Sequence, residues 1–225
     1  MSEFAELHDE LRGVARHLLA GQVADGVRWR QVADAGWLGL EVPAALDGSG
    51  VTFAETAVVL EELGRVASPT SLLGSVLAVA AASSAGIDDV LRAVAGGARV
   101  AVALAPHADA AEPVPPFRLD GAGRLTGRAE LVVDAPDAEH LLLLADAPTG
   151  LVLVHTHGSG SPDRPEDVDR GDQNGLVVRT EPVLDATRAL GTVAADGVPV
   201  AAEDIHPFDA APAQAVLDRA ALAVA

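Results

Sequence analysis

Between residues 35 and 65 the chain runs Ala35-Gly36-Trp37-Leu38-Gly39-Leu40-Glu41-Val42-Pro43, then Asp47-Gly48-Ser49-Gly50, then Leu60-Glu61-Glu62-Leu63-Gly64-Arg65. That order dictates a helix end, a tight apolar crossing, a proline stop, a glycine-rich turn and a new amphipathic helix. Upstream, Phe4, Leu7, Leu11, Val14 and Leu18 recur at three- and four-residue spacing and make one helix face. Trp29, Val32 and Ala33 continue the pattern in a second short helix that stops at Gly36. Downstream, Thr52 and Glu55 have capping-box spacing, and Phe53, Ala57, Leu60 and Leu63 form a buried stripe ending at Gly64. Residues 71–85 and 88–95 read as two more helices, closed by Gly86 and by Gly96-Gly97.

At Arg99 the pattern changes. Val100-Ala101-Val102-Ala103-Leu104, His140-Leu141-Leu142-Leu143-Leu144 and Leu151-Val152-Leu153-Val154 are short apolar runs bounded by Gly, Pro and Asp, and read as strands. Gly175-Leu176-Val177-Val178-Arg179 and Leu190-Gly191-Thr192-Val193 extend the series. No ten-residue helical pattern separates them, which argues against a doubly wound sheet. Residues 158–172 are polar and rich in Pro, Gly and Asp, hence a surface loop. From Pro212 a helical pattern returns through Val216, Leu217, Ala220, Ala221 and Val224. The expected architecture is α+β: an N-terminal helical domain over 1–97, an antiparallel β-barrel or sandwich domain over 98–209, and the start of a C-terminal helix over 210–225. That last helix has its apolar face made, so a partner for it is expected.

Composition narrows the function classes. With 225 residues, 49% of them apolar, the chain is long enough to bury one large or two small cores. Aromatics are 3% and Tyr is absent, so the core is built from Ala, Val and Leu. All fifteen basic residues are Arg, and the formal charge of -18 excludes the basic stripe that nucleic acid or anionic lipid requires. Local Arg and helix N-termini still suffice for an anionic coenzyme. The absence of Cys removes disulfides and thiolate chemistry. No basic region followed by an apolar run opens the chain, and the most apolar stretch, 72–85, is too short and too rich in Ser and Ala to span a bilayer. A cytoplasmic protein without membrane or nucleic-acid partners is expected.

Helices, a β domain and a renewed helix, with the 36–65 stretch at the front, resemble the acyl-CoA dehydrogenases over essentially the whole chain. The family's C-terminal four-helix domain is the part not covered. The resemblance implies FAD as cofactor and an acyl-CoA thioester as substrate, with α,β-dehydrogenation as the reaction. It also implies an electron-transfer flavoprotein-type acceptor and a homo- or hetero-oligomer. In the family a Glu takes the α-proton while the flavin accepts hydride from Cβ. That Glu comes from the C-terminal region, so no catalytic residue is assigned here and the chain alone is expected to be inactive. Two flavin-contacting segments do have counterparts. A strand ending in Thr-Glu-Pro and followed by Gly-Ser matches Ala103-Leu104-Ala105-Pro106-His107-Ala108-Asp109-Ala110, with Pro106 in register, Leu104 in place of Thr and no Gly-Ser pair. A Trp-Ile-Thr-Asn segment, counted from Gly127, matches Leu131-Val132-Val133-Asp134. The cofactor-binding positions implied are therefore Ala103, Leu104, Leu131 and Val133. Backbone groups there can still meet a flavin, whereas several side-chain hydrogen bonds, each worth about 0.5–1.5 kcal/mol, are missing. That loss keeps open a second reading, a catalytically silent structural subunit of a heteromeric dehydrogenase.

Other chemistry-bearing residues have blander accounts. Glu61 and Glu62 read as a solvated helix face. Thr187 and Arg188 read as braces of the β domain. His155 and His157 alternate and so share one strand face, yet nothing in the sequence supplies the third and fourth ligands that a metal needs, and no metal is expected. The acidic run Asp163, Glu166, Asp167, Asp169, Asp172 lacks calcium-loop spacing, and Gly158-Ser159-Gly160-Ser161 lacks the Lys and helix of a phosphate loop.

Overall fold

The structure, a computed structural model, describes residues 3–20, 28–104, 114–158, 170–171, 175–185 and 187–223. Its first part is helical: α1 (Glu3–Leu19), α2 (Trp29–Asp34), two 3-10 turns at Trp37–Gly39 and Ala44–Leu46, α3 (Phe53–Arg65), α4 (Leu72–Ala85) and α5 (Asp88–Ala95). Gly36 ends α2 in the left-handed region at φ 73, as the glycine predicted. The glycine-rich turn then folds back on the apolar crossing. Ser49 N–H donates to Gly39 O at 2.8 Å, Gly50 N–H to Val42 O at 2.9 Å and Val51 N–H to Leu40 O at 2.9 Å. A Cβ on Gly48 would sit 2.0 Å from Val42 O, so only glycine fits that approach. The Thr52 box is formed as its spacing predicted, with Thr52 N–H donating to Glu55 Oε2 at 2.9 Å.

Helix α4 is apolar around its whole circumference and forms the axle of the helical core. Helix α1 crosses α3 and delivers Arg16 to Glu62. The guanidinium donates from Nε at 2.9 Å and from a terminal nitrogen at 2.7 Å. Glu62 is therefore buried rather than solvated, correcting the reading from spacing alone, while Glu61 stays exposed as expected. The Arg16 hydrogen bonds hold the Glu62 carboxyl below its usual range. Glu55, also buried, is held at about 2, chiefly by the Thr52 hydroxyl and then by His8, whose Nε2 lies 2.9 Å away.

The second part is one sheet: β1 (Val100–Ala103), β2 (Phe117–Leu119), β3 (Arg124–Val133), β4 (His140–Ala147), β5 (Gly150–His157), β6 (Arg170–Gly171), β7 (Leu176–Thr180), β8 (Leu190–Pro199) and β9 (Ile205–Pro207). The order is β6-β7-β8-β3-β2-β4-β5-β9, with β1 also on β4. Most pairings are antiparallel, as expected. Two are parallel, because β1 and β2 follow one another along the same edge of β4, at residues 140–143 and 145–146, as one interrupted strand. Strands β2, β3, β6 and β9 add to those read from the sequence, and β6 corrects the reading of 158–172 as loop throughout, because Arg170 and Gly171 pair with β7. Helix α6 (Ala210–Ala223) follows and lays Ala213 and Val216 on the helical core. Arg219 on α6 pairs with Glu41 and stacks 4.4 Å over Phe53. Among the described residues no helix is long and apolar enough to cross a membrane.

Gly48→Ala is expected to destabilise the protein by at least about 1–3 kcal/mol through forced backbone movement. Gly64→Ala, inside α3 with no atom within 4 Å of the new Cβ, should stabilise it by roughly 0.5–1 kcal/mol. Urea unfolding of the two variants checks both signs.

Candidate functional site

Two adjoining cavities, of about 280 and 330 Å³, open between the helices and the sheet and share Thr70, Thr187 and Arg188. The first is polar. Arg99 stacks 4.7 Å over Trp29, whose indole N–H donates to Gly97 O at 2.6 Å. Opposite, Ser71 Oγ donates to Asp137 at 3.2 Å. The second cavity adds an apolar wall of Leu60, Leu63, Leu73 and Ala223. Asp185 accepts from the Thr187 N–H at 2.9 Å and from its hydroxyl at 2.6 Å, which lowers the Asp185 pKa. Arg188 lies 3.6 Å from the same carboxylate. Thr187 and Arg188 thus form a local turn network while also lining both cavities, a second role that their sequence context did not disclose.

The four positions implied for the cofactor fall on neighbouring parts of the sheet but in different surroundings. Ala103 is fully buried within the inner face of the sheet, paired in register with Leu143. Leu104, just past β1, and Val133, at the end of β3, are half-buried and pack on the helix-facing core. Leu131 is 59% exposed at φ 55, an unusual combination for a leucine. The cause is a bulge: between Ala129 and Val132 the register against β8 shifts, leaving Glu130 and Leu131 without cross-strand partners. Bulges re-aim side chains and free backbone groups. The remainder of the first flavin segment, residues 105–110, lies outside the described residues, as do most of loop 158–172, Ala186 and Val224.

The next residue, Asp134, was not assigned a role from the sequence. It is buried in the left-handed region at φ 59, and its Oδ2 accepts from the Gly74 N–H at 2.7 Å. Ser71 makes no side-chain cap on α4, so Asp134 satisfies a first-turn amide of that helix from the sheet side. The contact requires Gly74, whose Cβ would lie 2.8 Å from that of Asp134. Burial dominates the hydrogen bond and pushes the Asp134 pKa up to about 7. His155 and His157 do acquire a third imidazole, that of His140 on the adjacent strand. The sequence held a signal for it in the tight turn between β4 and β5, from which the cross-strand register follows.

A family model described as acyl-CoA dehydrogenase, N-terminal domain, matches residues 3–90. Among curated proteins, the acyl-CoA dehydrogenase IpdE2 of Mycolicibacterium smegmatis is 41% identical over 73 residues, which are 32% of this chain and 24% of that protein. Among solved structures, a variant of the Tcur3481-Tcur3483 steroid ACAD superposes with a TM-score of 0.73 at 27% identity, covering 98% of this chain and 62% of that one. The ChsE4-ChsE5 complex from Mycobacterium tuberculosis gives a TM-score of 0.74 at 22% identity, over 96% and 60%, and shows the fold. The chain thus spans about three fifths of the length of these solved chains.

The Asp134 carboxyl keeps its proton in the folded state up to about 7, whereas in the unfolded chain it releases it near 3.8. Between those values the folded state holds more protons, so this residue's contribution is most favourable below pH 4 and is lost as pH rises through 7. Asp134→Asn keeps an acceptor for Gly74 without the charge. It should remove this pH dependence and stabilise the protein at pH 8 by on the order of a few kcal/mol. Chemical unfolding across pH 4 to 8 measures it.

Proposed function

Since the chain belongs to the acyl-CoA dehydrogenase family, we propose that it forms the N-terminal helical (1–97) and middle β (98–209) domains, and the opening C-terminal helix (210–225), of an FAD-dependent flavoprotein subunit. The subunit dehydrogenates an acyl-CoA thioester between Cα and Cβ, in the cytoplasm, and passes electrons to an electron-transfer flavoprotein-type acceptor. The observation that carries this reading is the bulge at Leu131. It presents an exposed aliphatic side chain, at a point where two residues have no register partner on β8, two positions from the apolar Val133, which fits a flat, partly apolar ring system. FAD, when bound, supplies the hydride acceptor. The chain's own residues would supply the seat, with the exposed Leu131 side chain offering apolar contact and the backbone of 130–131 offering polar groups. In the cleft, Arg99 and Arg188 meet anionic groups of the thioester ligand, while Leu60, Leu63 and Leu73 receive apolar acyl carbons. The steroid ACAD relative supports a polycyclic acyl group as the first substrate to try.

A second reading, a structural subunit without its own chemistry in a heteromeric dehydrogenase, is favoured by one specific observation. Leu104 and Val133 offer no hydroxyl, and among the described residues no Glu lines either cavity. The ChsE4-ChsE5 complex joins two differently named proteins, which supports hetero-oligomer formation under either reading.

Co-purification with the products of neighbouring genes and measurement of bound flavin decides between them. The enzyme reading expects flavin equimolar with this chain. Flavin carried by the other subunit alone favours the structural reading. Leu131→Glu, on an exposed position, should lower flavin retention about tenfold without moving the unfolding midpoint. Unchanged retention would remove the bulge from the cofactor seat.

A further inference from the structure

Three of the chain's seven histidines meet at one end of the β4–β5 hairpin. His140 opens β4 and lies directly opposite His157 on β5, and His155 lies opposite Leu142. Directly opposed residues and residues two apart share a sheet face, so the register itself puts all three imidazoles on one side. His140 Nδ1 is 3.1 Å from His155 Nε2, and the ring centroids are 5.0 to 5.3 Å apart. One nitrogen from each ring falls within 4.8 Å of the other two.

We propose that His140, His155 and His157 form a binding site for a divalent transition-metal ion of the zinc class, clipping β4 to β5. Zinc sits about 2.0–2.1 Å from imidazole nitrogens, which places the nitrogens of a tetrahedral site roughly 3.3–3.4 Å apart. The His140–His155 pair, at 3.1 Å, is within a few tenths of an ångström of that separation, and rotation of exposed His157 about its side-chain bonds brings in the third donor. Three nitrogen donors without thiolate suit zinc, nickel or copper rather than magnesium or calcium. Ligation requires neutral imidazole. Burial, and then the neighbouring rings, lower the His155 pKa to about 4, and burial likewise lowers that of His140.

The surroundings complete the site. His155 Nδ1, on the opposite side of the ring from the shared Nε2, faces the Asp204 carboxylate at 3.9 Å, longer than a hydrogen bond but on the side from which a carboxylate orients a ligating imidazole. Asp204 also offsets part of the ion's charge. His206 lies on the same sheet face, opposite Leu153 on β9, and Glu139 immediately precedes His140. The exposed side at His157 leaves a fourth position for water. The site draws on none of the residues assigned to the flavin or to the acyl cleft, so it stands independently of the proposed dehydrogenase function.

Zinc titration of chelator-treated protein against a chromogenic competitor tests it. The expected result is equimolar zinc, weakened by about tenfold or more in His157→Gln and unchanged in His17→Gln on the exposed face of α1. Cobalt(II) should give the visible band of a four-coordinate site of three nitrogens and one water in the wild type, lost in His140→Gln. Because His157 is exposed, its substitution leaves the fold intact, which an unchanged thermal midpoint in the metal-free state verifies. Substoichiometric binding by the wild type overturns the proposal, as does equimolar zinc binding that survives His157→Gln.

Discussion

Burial of β4 on both faces is the constraint from which the rest of the molecule follows. Leu142 and Leu144 point into the helical core with Leu153, and Leu141, Leu143 and Ala145 point into the core enclosed by the sheet. All six are fully removed from solvent. A strand with no polar face reads as an unbroken apolar run, which is why five residues from His140 contain four successive leucines. The same strand carries β1 and β2 along one edge and β5 along the other, so it fixes the direction of the chain where helices give way to sheet.

Helix α4 is the other half of that junction. Its first turn is fastened to the sheet by three polar contacts: Ser71 to Asp137, the Gly74 amide to Asp134, and Ser75 Oγ to both backbone groups of Val100. These contacts lie beside the two cavities, so the walls of the cleft are positioned by groups that also hold the two cores together. Gly74 permits the close approach, and the cost appears at Asp134, whose carboxyl is kept from ionising readily by its burial. The Leu131 bulge belongs to the same strand that delivers Asp134. Two residues in regular register, Val132 and Val133, separate the re-aimed Leu131 from Asp134, which leaves the strand in the left-handed region.

Features determined by neighbours in the sequence were legible. The Thr52-Glu55 box, the Gly36 helix end, the back-folded turn at Gly48 and the extents of α4 and α5 each rest on a few adjacent residues. The bulge that exposes Leu131 depends on pairing with β8 and left no trace in the residues next to it. Features set by distant chain segments were not legible. Glu62 looked like any exposed helix glutamate until α1 crossed it with Arg16. The parallel placement of β1 and β2 depends on their sharing an edge of β4. His140 stands between the two cases, since the tight turn carries the signal once the register is counted back from it: Ala147 faces Gly150, and seven positions further His140 faces His157.

If β4 couples the two cores, a cavity cut on either of its faces must be felt on both sides. Hydrogen exchange resolved by segment in Leu142→Ala and Leu143→Ala measures this directly, each substitution removing roughly 2–5 kcal/mol. The account predicts that protection falls together in α4 and in β8 for both variants. Loss confined to the helices in Leu142→Ala and to the sheet in Leu143→Ala would contradict it.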